Sequence, residues 1–226
     1  MPRLRVAVLA SGRGSNLLSL LRPAHAGHVD ARVTLVVSDK ADAGALDLAR
    51  RARVPAVVSL PPEPGEGADA YDLRMANLLA REDPDLVVLA GYLRIVGQAI
   101  LTRFPGRIVN IHPSLLPSFQ GLKAVRQAVR AGARVVGCTT HVVTADLDGG
   151  PILLQAAVAV RPGETEEHLA ARILKLEHLL LPRTVQLFAE DRVSVADGRA
   201  AIAPGPTWLT RPGLDLASGA LYAEGF

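Results

Sequence analysis

Short apolar runs alternate with longer stretches of helical periodicity along the first half of the chain. The runs at 33–38 and 86–90 consist mainly of Val and Leu, which is typical of parallel strands buried on both faces. The stretches between them repeat apolar residues at the three- and four-residue spacing of amphipathic helices. This alternation predicts βαβ units and a doubly wound, mostly parallel sheet. The predicted strands are 5–10, 33–38, 56–60 and 86–90, and helices are predicted from 17 onward and over 43–53 and 70–81.

The second half of the chain predicts longer elements. Strands are expected at 108–111, 135–143 and 152–160, and helices at 121–131 and 164–189, the latter with Thr165 as a candidate N-cap. A small hairpin is expected at 192–203, followed by a Gly- and Pro-rich tail at 204–226. We therefore predict one α/β domain with a mixed, Rossmann-like sheet over residues 1–203.

Composition narrows the class of protein. The 226 residues are 49% hydrophobic and 21% charged, which excludes a disordered chain. The net charge of +3 is scattered, so neither a nucleic-acid partner nor a membrane partner is expected. The single cysteine, Cys138, has no intrachain partner, which favours a reducing cytoplasm.

A glycine-rich loop at 12–16 is the first candidate for binding chemistry. It follows a strand and precedes a helix, where free backbone N–H groups and the helix dipole attract an anion such as phosphate. Ser15 and Asn16 are also good N-caps, so a simple capped turn is the alternative. A dinucleotide site is less well supported, because Leu17 stands where its fingerprint requires a third glycine, although Asp39 could bind a ribose.

Asn110 and His112 are the second candidate. Alternation along a strand places both side chains on one face, at the carboxyl end where parallel sheets bind ligands. A hydrogen-bonded core Asn and core His are the alternative.

The third candidate is the segment 144–151. Asp146 and Asp148 could be ordinary turn residues before Gly149 and Gly150. If Asp148 points at His112, however, the two form a carboxylate–imidazole pair that can move a proton at neutral pH. The sequence contains no metal-ligand spacing and no serine-hydrolase elbow, so we expect no metal.

Taken in this order, these motifs resemble the phosphoribosylglycinamide formyltransferases, a branch of the folate-dependent formyltransferase family. NIHPSLLP at 110–117 followed by DGGP at 148–151 is specific for the wider family, and the 11–16 loop SGRGSN is similar to its nucleotide-phosphate branch. Further similarity lies at 38–42, at 90–95 and at the pair Glu177 and His178.

The resemblance implies transfer of a formyl group from 10-formyltetrahydrofolate to the amine of glycinamide ribonucleotide, by a monomer or homodimer. It implies a nucleotide-phosphate half at about 1–105 and a folate and catalytic half at about 106–203. Asn110 would stabilise an oxyanion, His112 would protonate the leaving folate nitrogen, and Asp148 would orient His112. The residues implied for the nucleotide substrate are Gly14, Ser15, Asn16 and Glu177. The residues implied for the folate are Leu93, Arg94, Ile95, Val96, Asn110, Thr144, Ala145, Asp146, Leu147 and Asp148.

Two positions depart from the family pattern. An arginine that serves the acidic folate tail is often found where Ala68 or Asp69 stands, and a histidine is common at the position of Val125.

A formyltetrahydrofolate hydrolase shares the three central residues, but it carries a regulatory domain before the first strand. A nicotinamide-dependent dehydrogenase is the alternative from another class, and it leaves Asn110, His112 and Asp148 unexplained.

Overall fold

The computed structural model describes residues 2–204 and 220–223, and the chain divides into two units, residues 1–110 and 111–226. The division falls inside a strand, β5. In the first unit the elements are β1 Leu4–Leu9, α1 Ser15–His25, β2 Ala31–Ser38, α2 Gly44–Arg51, β3 Ala56–Ser59, α3 Ala68–Glu82, β4 Leu86–Leu89, α4 Gln98–Arg103 and most of β5 Ile108–His112.

All strand pairs of the first unit are parallel, in the order β5-β4-β1-β2-β3. Strand β1 is the centre of this order, and Val6, Val8 and Leu9 are completely buried there. The chain runs outward from β1 to β3 and then returns to the other side of β1 with β4. The carboxyl ends of β1 and β4 therefore form a topological switch point, where open α/β sheets bind their ligands.

The second unit is built around an antiparallel pair. Strand β7 pairs with β6 on one side and with β10 on the other, and β8 and β9 form a separate hairpin. Its elements are α5 Ala124–Arg130, β6 Val135–Val142, β7 Ile152–Ala159, α6 Glu166–Ala189, β8 Val193–Ala196, β9 Arg199–Ile202 and β10 Ala220–Ala223.

Several local predictions need correction. Helix α4 and strand β10 were not expected, and α5 begins at Ala124 rather than at 121, because Gly121 and Lys123 have left-handed backbone conformations. The Thr165 cap is confirmed, since its hydroxyl accepts from the His168 N–H at 3.3 Å. The rest of the predicted tail, at 205–219 and 224–226, lies outside the described residues. Within the described ranges, no helix is both long enough and apolar enough to cross a bilayer.

Candidate functional site

His112 ends strand β5 and is held through both ring nitrogens. The side chain is buried, and Nε2 lies 2.9 Å from the carbonyl oxygen of Phe119, while Nδ1 lies 3.4 Å from Oδ2 of Asp148. Because a carbonyl oxygen only accepts hydrogen bonds, the Nε2 atom donates a proton to Phe119 in this arrangement. The other nitrogen is left facing the carboxylate, so the sequence-predicted pair of His112 and Asp148 does come together.

Asp148 lies between two histidines. Its Oδ1 is 3.5 Å from Nε2 of His141, and its Oδ2 accepts from the Gly121 N–H at 2.8 Å. Burial by itself raises the pKa of Asp148, but the hydrogen bonds from His141 and Gly121 and the interaction with both histidines outweigh it and lower this pKa to about 2. The carboxylate is therefore ionised at neutral pH.

The turn after β6 brings Asp148 back to this position. A side chain at Gly150 would place its Cβ 1.9 Å from the carbonyl oxygen of Val142, so only glycine allows the chain to return so close to the strand. Asp148 itself has a φ of 48°, a left-handed conformation that Asp and Asn tolerate better than most residues. Asp148 is thus a turn residue and a partner of His112 at the same time.

A buried polar network fixes the segment that follows His112. The Thr139 hydroxyl donates to the Ser114 carbonyl at 2.7 Å and accepts from the Leu116 N–H at 3.0 Å. The Gln155 amide donates to the Leu116 carbonyl at 2.9 Å and to the Thr139 hydroxyl at 3.0 Å. Strands β6 and β7 therefore anchor the segment whose next turn presents the Phe119 carbonyl to His112.

Asn110 lies two residues before His112 on β5. It is half-buried, and its backbone is in register with Leu89 of the neighbouring parallel strand β4. Strand alternation directs the Asn110 and His112 side chains to the same face. An amide and an imidazole thus leave one face of β5 near its carboxyl end.

The glycine-rich loop lies at the switch point of the first unit. The Ser11 N–H donates to the Gly91 carbonyl, and the Ser11 hydroxyl accepts from the Leu93 N–H at 2.9 Å, so the loops after β1 and β4 are tied together. Gly14 has a φ of 85°, and a Cβ there would lie 2.8 Å from Cα of Ala45. Both its conformation and its close approach to α2 therefore require glycine.

The alternative interpretation of this loop, a turn capped by Ser15 or Asn16, is wrong. Ser15 is the first residue of the helix and Gly14 is the N-cap, with no side-chain hydrogen bond to the helix end. The N–H groups of a helix's first turn have no partner within the helix. Ser15 and Asn16 therefore start a helix whose end carries no side-chain cap, which is the arrangement that suits an anion.

The residues predicted to line a folate site are distributed over both units. Leu93 and Ile95 are exposed and Val96 is buried in the first unit, where Arg94 lies over the Tyr71 ring at 4.2 Å. In the second unit, Ala145, Asp146 and Leu147 are exposed, and Thr144 is half-buried. Ala68 and Asp69, where the sequence departs from the family pattern, lie in the first turn of α3.

Glu177 is buried within helix α6, with 7% of its surface exposed. A buried glutamate is unusual and is normally paired with another group. Burial, together with the charge of Glu177, raises the pKa of the Cys138 thiol. Cys138 is therefore protonated at neutral pH and is not a nucleophile.

His141 is the functional candidate that the sequence did not reveal. Its ring is 2% exposed, its Nδ1 lies 3.1 Å from the Val142 carbonyl, and its Nε2 faces Asp148. The available signal was a histidine inside an apolar strand seven residues before Asp148, but only the return of the chain after β6 places the two side chains together.

Within residues 2–204 and 220–223, no group of three His, Cys, Asp or Glu side chains is placed to hold a metal ion.

Comparisons with known proteins identify the family to which the chain belongs. A family model described as formyl transferase matches residues 4–185. The phosphoribosylglycinamide formyltransferase of Escherichia coli is 38% identical over 197 residues, covering 87% of this chain and 92% of that protein. The crystal structure of glycinamide ribonucleotide transformylase 1 from Symbiobacterium toebii is 48% identical, covers 89% of this chain and 95% of its own, and superposes with a TM-score of 0.87. The predicted α/β formyltransferase fold is therefore confirmed, and by sequence and by fold the chain belongs to the formyl transferase family.

Proposed function

We propose that this protein transfers the formyl group of 10-formyltetrahydrofolate to the amine of glycinamide ribonucleotide, as a step of purine biosynthesis. The observation that carries the proposal is the His112–Asp148 pair at the carboxyl end of β5, with a separation of 3.4 Å, in a chain of the formyl transferase family. The names of its relatives indicate the nucleotide substrate and the formyl transfer. The family resemblance supplies the folate donor, and the chemistry follows from the residues.

Attack of the amine on the formyl carbon makes a tetrahedral intermediate with a negative oxygen. An amide N–H aimed at such an oxygen stabilises the charge, and this contribution is typically worth ~10²–10³ in rate. Asn110 supplies this amide in our proposal, because its side chain leaves the same face of β5 as His112.

His112 would deliver the proton that the leaving folate nitrogen needs. The proton at Nε2 is the one that donates to the Phe119 carbonyl at 2.9 Å, so replacement of that carbonyl by a substrate atom makes it available. Positioned proton transfer of this kind typically contributes ~10²–10⁴ in rate.

Asp148 would orient the imidazole rather than accept a proton. A carboxyl group whose pKa is about 2 is a weak base at neutral pH. The proton lost by the ammonium of the intermediate would therefore pass to water, while the carboxylate of Asp148 holds the His112 ring in position.

The two substrates would use separate groups of residues. We assign the phosphate of the nucleotide to the Gly14, Ser15 and Asn16 end of α1, and a further contact with this substrate to Glu177. The folate would bind the residues at 93–96 and 144–148, with the aliphatic side chains of Leu93, Ile95 and Leu147 against its rings and Arg94 available to its acidic tail. We further propose a cytoplasmic protein, either monomer or homodimer.

The absorbance of the folate product tests this proposal directly. Purified protein is mixed with 10-formyltetrahydrofolate in the presence and in the absence of glycinamide ribonucleotide. Turnover that requires the amine supports a transferase, whereas equal turnover without it supports the hydrolase alternative. If neither mixture yields tetrahydrofolate, the proposal is wrong.

A further inference from the structure

Ser11 joins the loop assigned to the nucleotide phosphate to the segment assigned to the folate. It is the second residue after β1, and only 3% of its surface is exposed. Its N–H donates to the Gly91 carbonyl at 3.0 Å, and its hydroxyl accepts from the Leu93 N–H at 2.9 Å. A shift of Ser11 therefore either moves the backbone after β4 with it or breaks a buried hydrogen bond.

The segment 93–97 is held at its two ends by different parts of the first unit. At the far end, the Gly97 N–H donates to Oδ1 of Asp72 at 2.7 Å, and Asp72 belongs to helix α3. At the near end, the Leu93 N–H is held by Ser11, which belongs to the loop that leads into α1. Between these anchors the side chains of the segment are mostly exposed. The position of the segment thus depends on one anchor in a helix and on one anchor in the phosphate-binding loop.

Ser11 is also close along the chain to the end of α1 that is assigned to the phosphate. Only Gly12 and Arg13 separate it from Gly14, and both are exposed. The Gly12 carbonyl accepts from the Ala45 N–H at 3.1 Å, which holds this short connection against α2. The first turn of α1 has no side-chain cap, so a bound anion would order the backbone there. Because the connection is short, an anion that fixes Gly14 also restricts the motion of Ser11.

We propose that Ser11 is a positioning residue that couples the two substrates, so that a nucleotide phosphate bound at 14–16 strengthens binding of the folate at 93–96. The inference rests on the proposed function, because that function assigns the two sites. The phosphate orders the loop after β1, the Ser11 hydroxyl transmits this order to the Leu93 N–H, and the folate then loses less conformational entropy on binding. Coupling between two binding sites is reciprocal, so the folate strengthens binding of the nucleotide by the same factor. A single neutral hydrogen bond changes an equilibrium by roughly two- to tenfold, and we expect a coupling factor of about five.

Anaerobic calorimetry with tetrahydrofolate, which carries no formyl group and so cannot react, measures this coupling. The Kd of tetrahydrofolate is determined without and with saturating glycinamide ribonucleotide. In the unmodified protein we expect the nucleotide to lower this Kd about fivefold, and in Ser11→Ala we expect the two values to be equal. The control is Ser38→Ala, which removes another buried serine hydroxyl, one that accepts from the Lys40 N–H at 3.1 Å in the loop after β2. This control should keep the full coupling factor, because Ser38 does not bond to the segment 93–97.

Amide hydrogen exchange tests the same path in the unmodified protein, and therefore also if Ser11→Ala does not fold. The nucleotide alone should slow exchange of the Leu93 amide at least ~2-fold, because it stabilises the acceptor of that amide. The Gly97 amide, which Asp72 holds, serves as the internal reference and should change less. Equal exchange of the Leu93 amide with and without the nucleotide overturns the inference.

The binding data give three further outcomes that overturn it. These are an equal Kd of tetrahydrofolate with and without the nucleotide in the unmodified protein, a folded Ser11→Ala variant that keeps the coupling, and a Ser38→Ala variant that loses it. Failure of the proposed function is seen separately in the turnover assay. Coupled binding without amine-dependent turnover contradicts the function alone, whereas amine-dependent turnover without coupling contradicts only the role of Ser11.

Discussion

Replacement of Asp148 by asparagine removes one charge from the site while nearly preserving the shape of the side chain. Asparagine also tolerates the left-handed φ of 48° at this position, so the turn is not expected to change. The carboxylate faces His112 at 3.4 Å and His141 at 3.5 Å, and an amide carries no charge with which to hold either ring. We expect turnover to fall by at least ~10², as in other carboxylate–imidazole pairs, while binding of the nucleotide phosphate changes far less.

The same substitution is expected to lower the free energy of unfolding. The surroundings lower the pKa of Asp148 from 3.8 to about 2, and each tenfold change in a protonation equilibrium is worth about 1.4 kcal/mol. The ionised carboxylate, whose side chain is 9% exposed, therefore adds roughly 2 kcal/mol to the free energy of unfolding at neutral pH. Because the folded-state pKa is depressed, this contribution is complete above about pH 4 and is lost as the pH falls towards 2.

Urea unfolding between pH 7 and pH 2.5, measured together with kcat, tests both consequences. Asp148→Asn should be less stable than the unmodified protein at pH 7, and the difference should shrink below about pH 4. The control is Asp197→Asn, which makes the same change at an exposed residue with a φ of 49°. If Asp148→Asn folds with full stability and keeps most of its turnover, Asp148 is only a turn residue and the reasoning fails.

Other residues of the candidate site can be tested in the same way. Asn110→Ala and His112→Ala should each lower kcat by at least ~10² with an unchanged circular dichroism spectrum, and near-normal turnover of either folded variant contradicts its role. Ser15→Glu should raise the KM for the nucleotide at least ~10-fold, because it places a negative charge at the end of α1 that is proposed to bind the phosphate. An unchanged KM would place the phosphate elsewhere. Calorimetry should detect no tight binding of NAD(H), and saturable binding of the dinucleotide would contradict this. Exhaustive chelation should leave turnover intact, and loss of activity that one divalent ion restores would contradict this. Gly150→Ala should lower the free energy of unfolding by ~1–3 kcal/mol, because the added Cβ would lie 1.9 Å from the Val142 carbonyl oxygen. A melting temperature equal to that of the parent protein would show that the turn can adjust.

The amino-acid pattern is sufficient to predict the strands that have parallel neighbours in the sheet. Runs such as 33–38 and 86–90 are apolar on both faces because they are covered on both faces, and that burial is visible without coordinates. The structure confirms these strands within two residues of the predicted ends.

Elements stabilised by distant residues could not be predicted in this way. Helix α4 has six residues, and its beginning is held by the Asp72 carboxylate of α3, which accepts from the N–H groups of Gly97 and Ile100 at 2.7 and 3.2 Å. Strand β10 owes its conformation to pairing with β7, more than 60 residues earlier. In both cases the stabilising partner is far away along the chain, so the local sequence contains no signal for it.

The candidate site was likewise predictable only in part from the sequence. Asn110 and His112 are two residues apart on one strand, and strand periodicity alone predicts that they share a face. The contact of Asp148 with His112, and the contribution of His141, depend on how the chain returns after β6, and this return requires the close approach of Gly150 to the Val142 carbonyl. Periodicity describes each element separately, whereas distances between side chains on different elements arise only when the elements pack. The residue types of the site could therefore be recognised from the chain, but the second histidine and the low pKa of Asp148 became visible only in three dimensions.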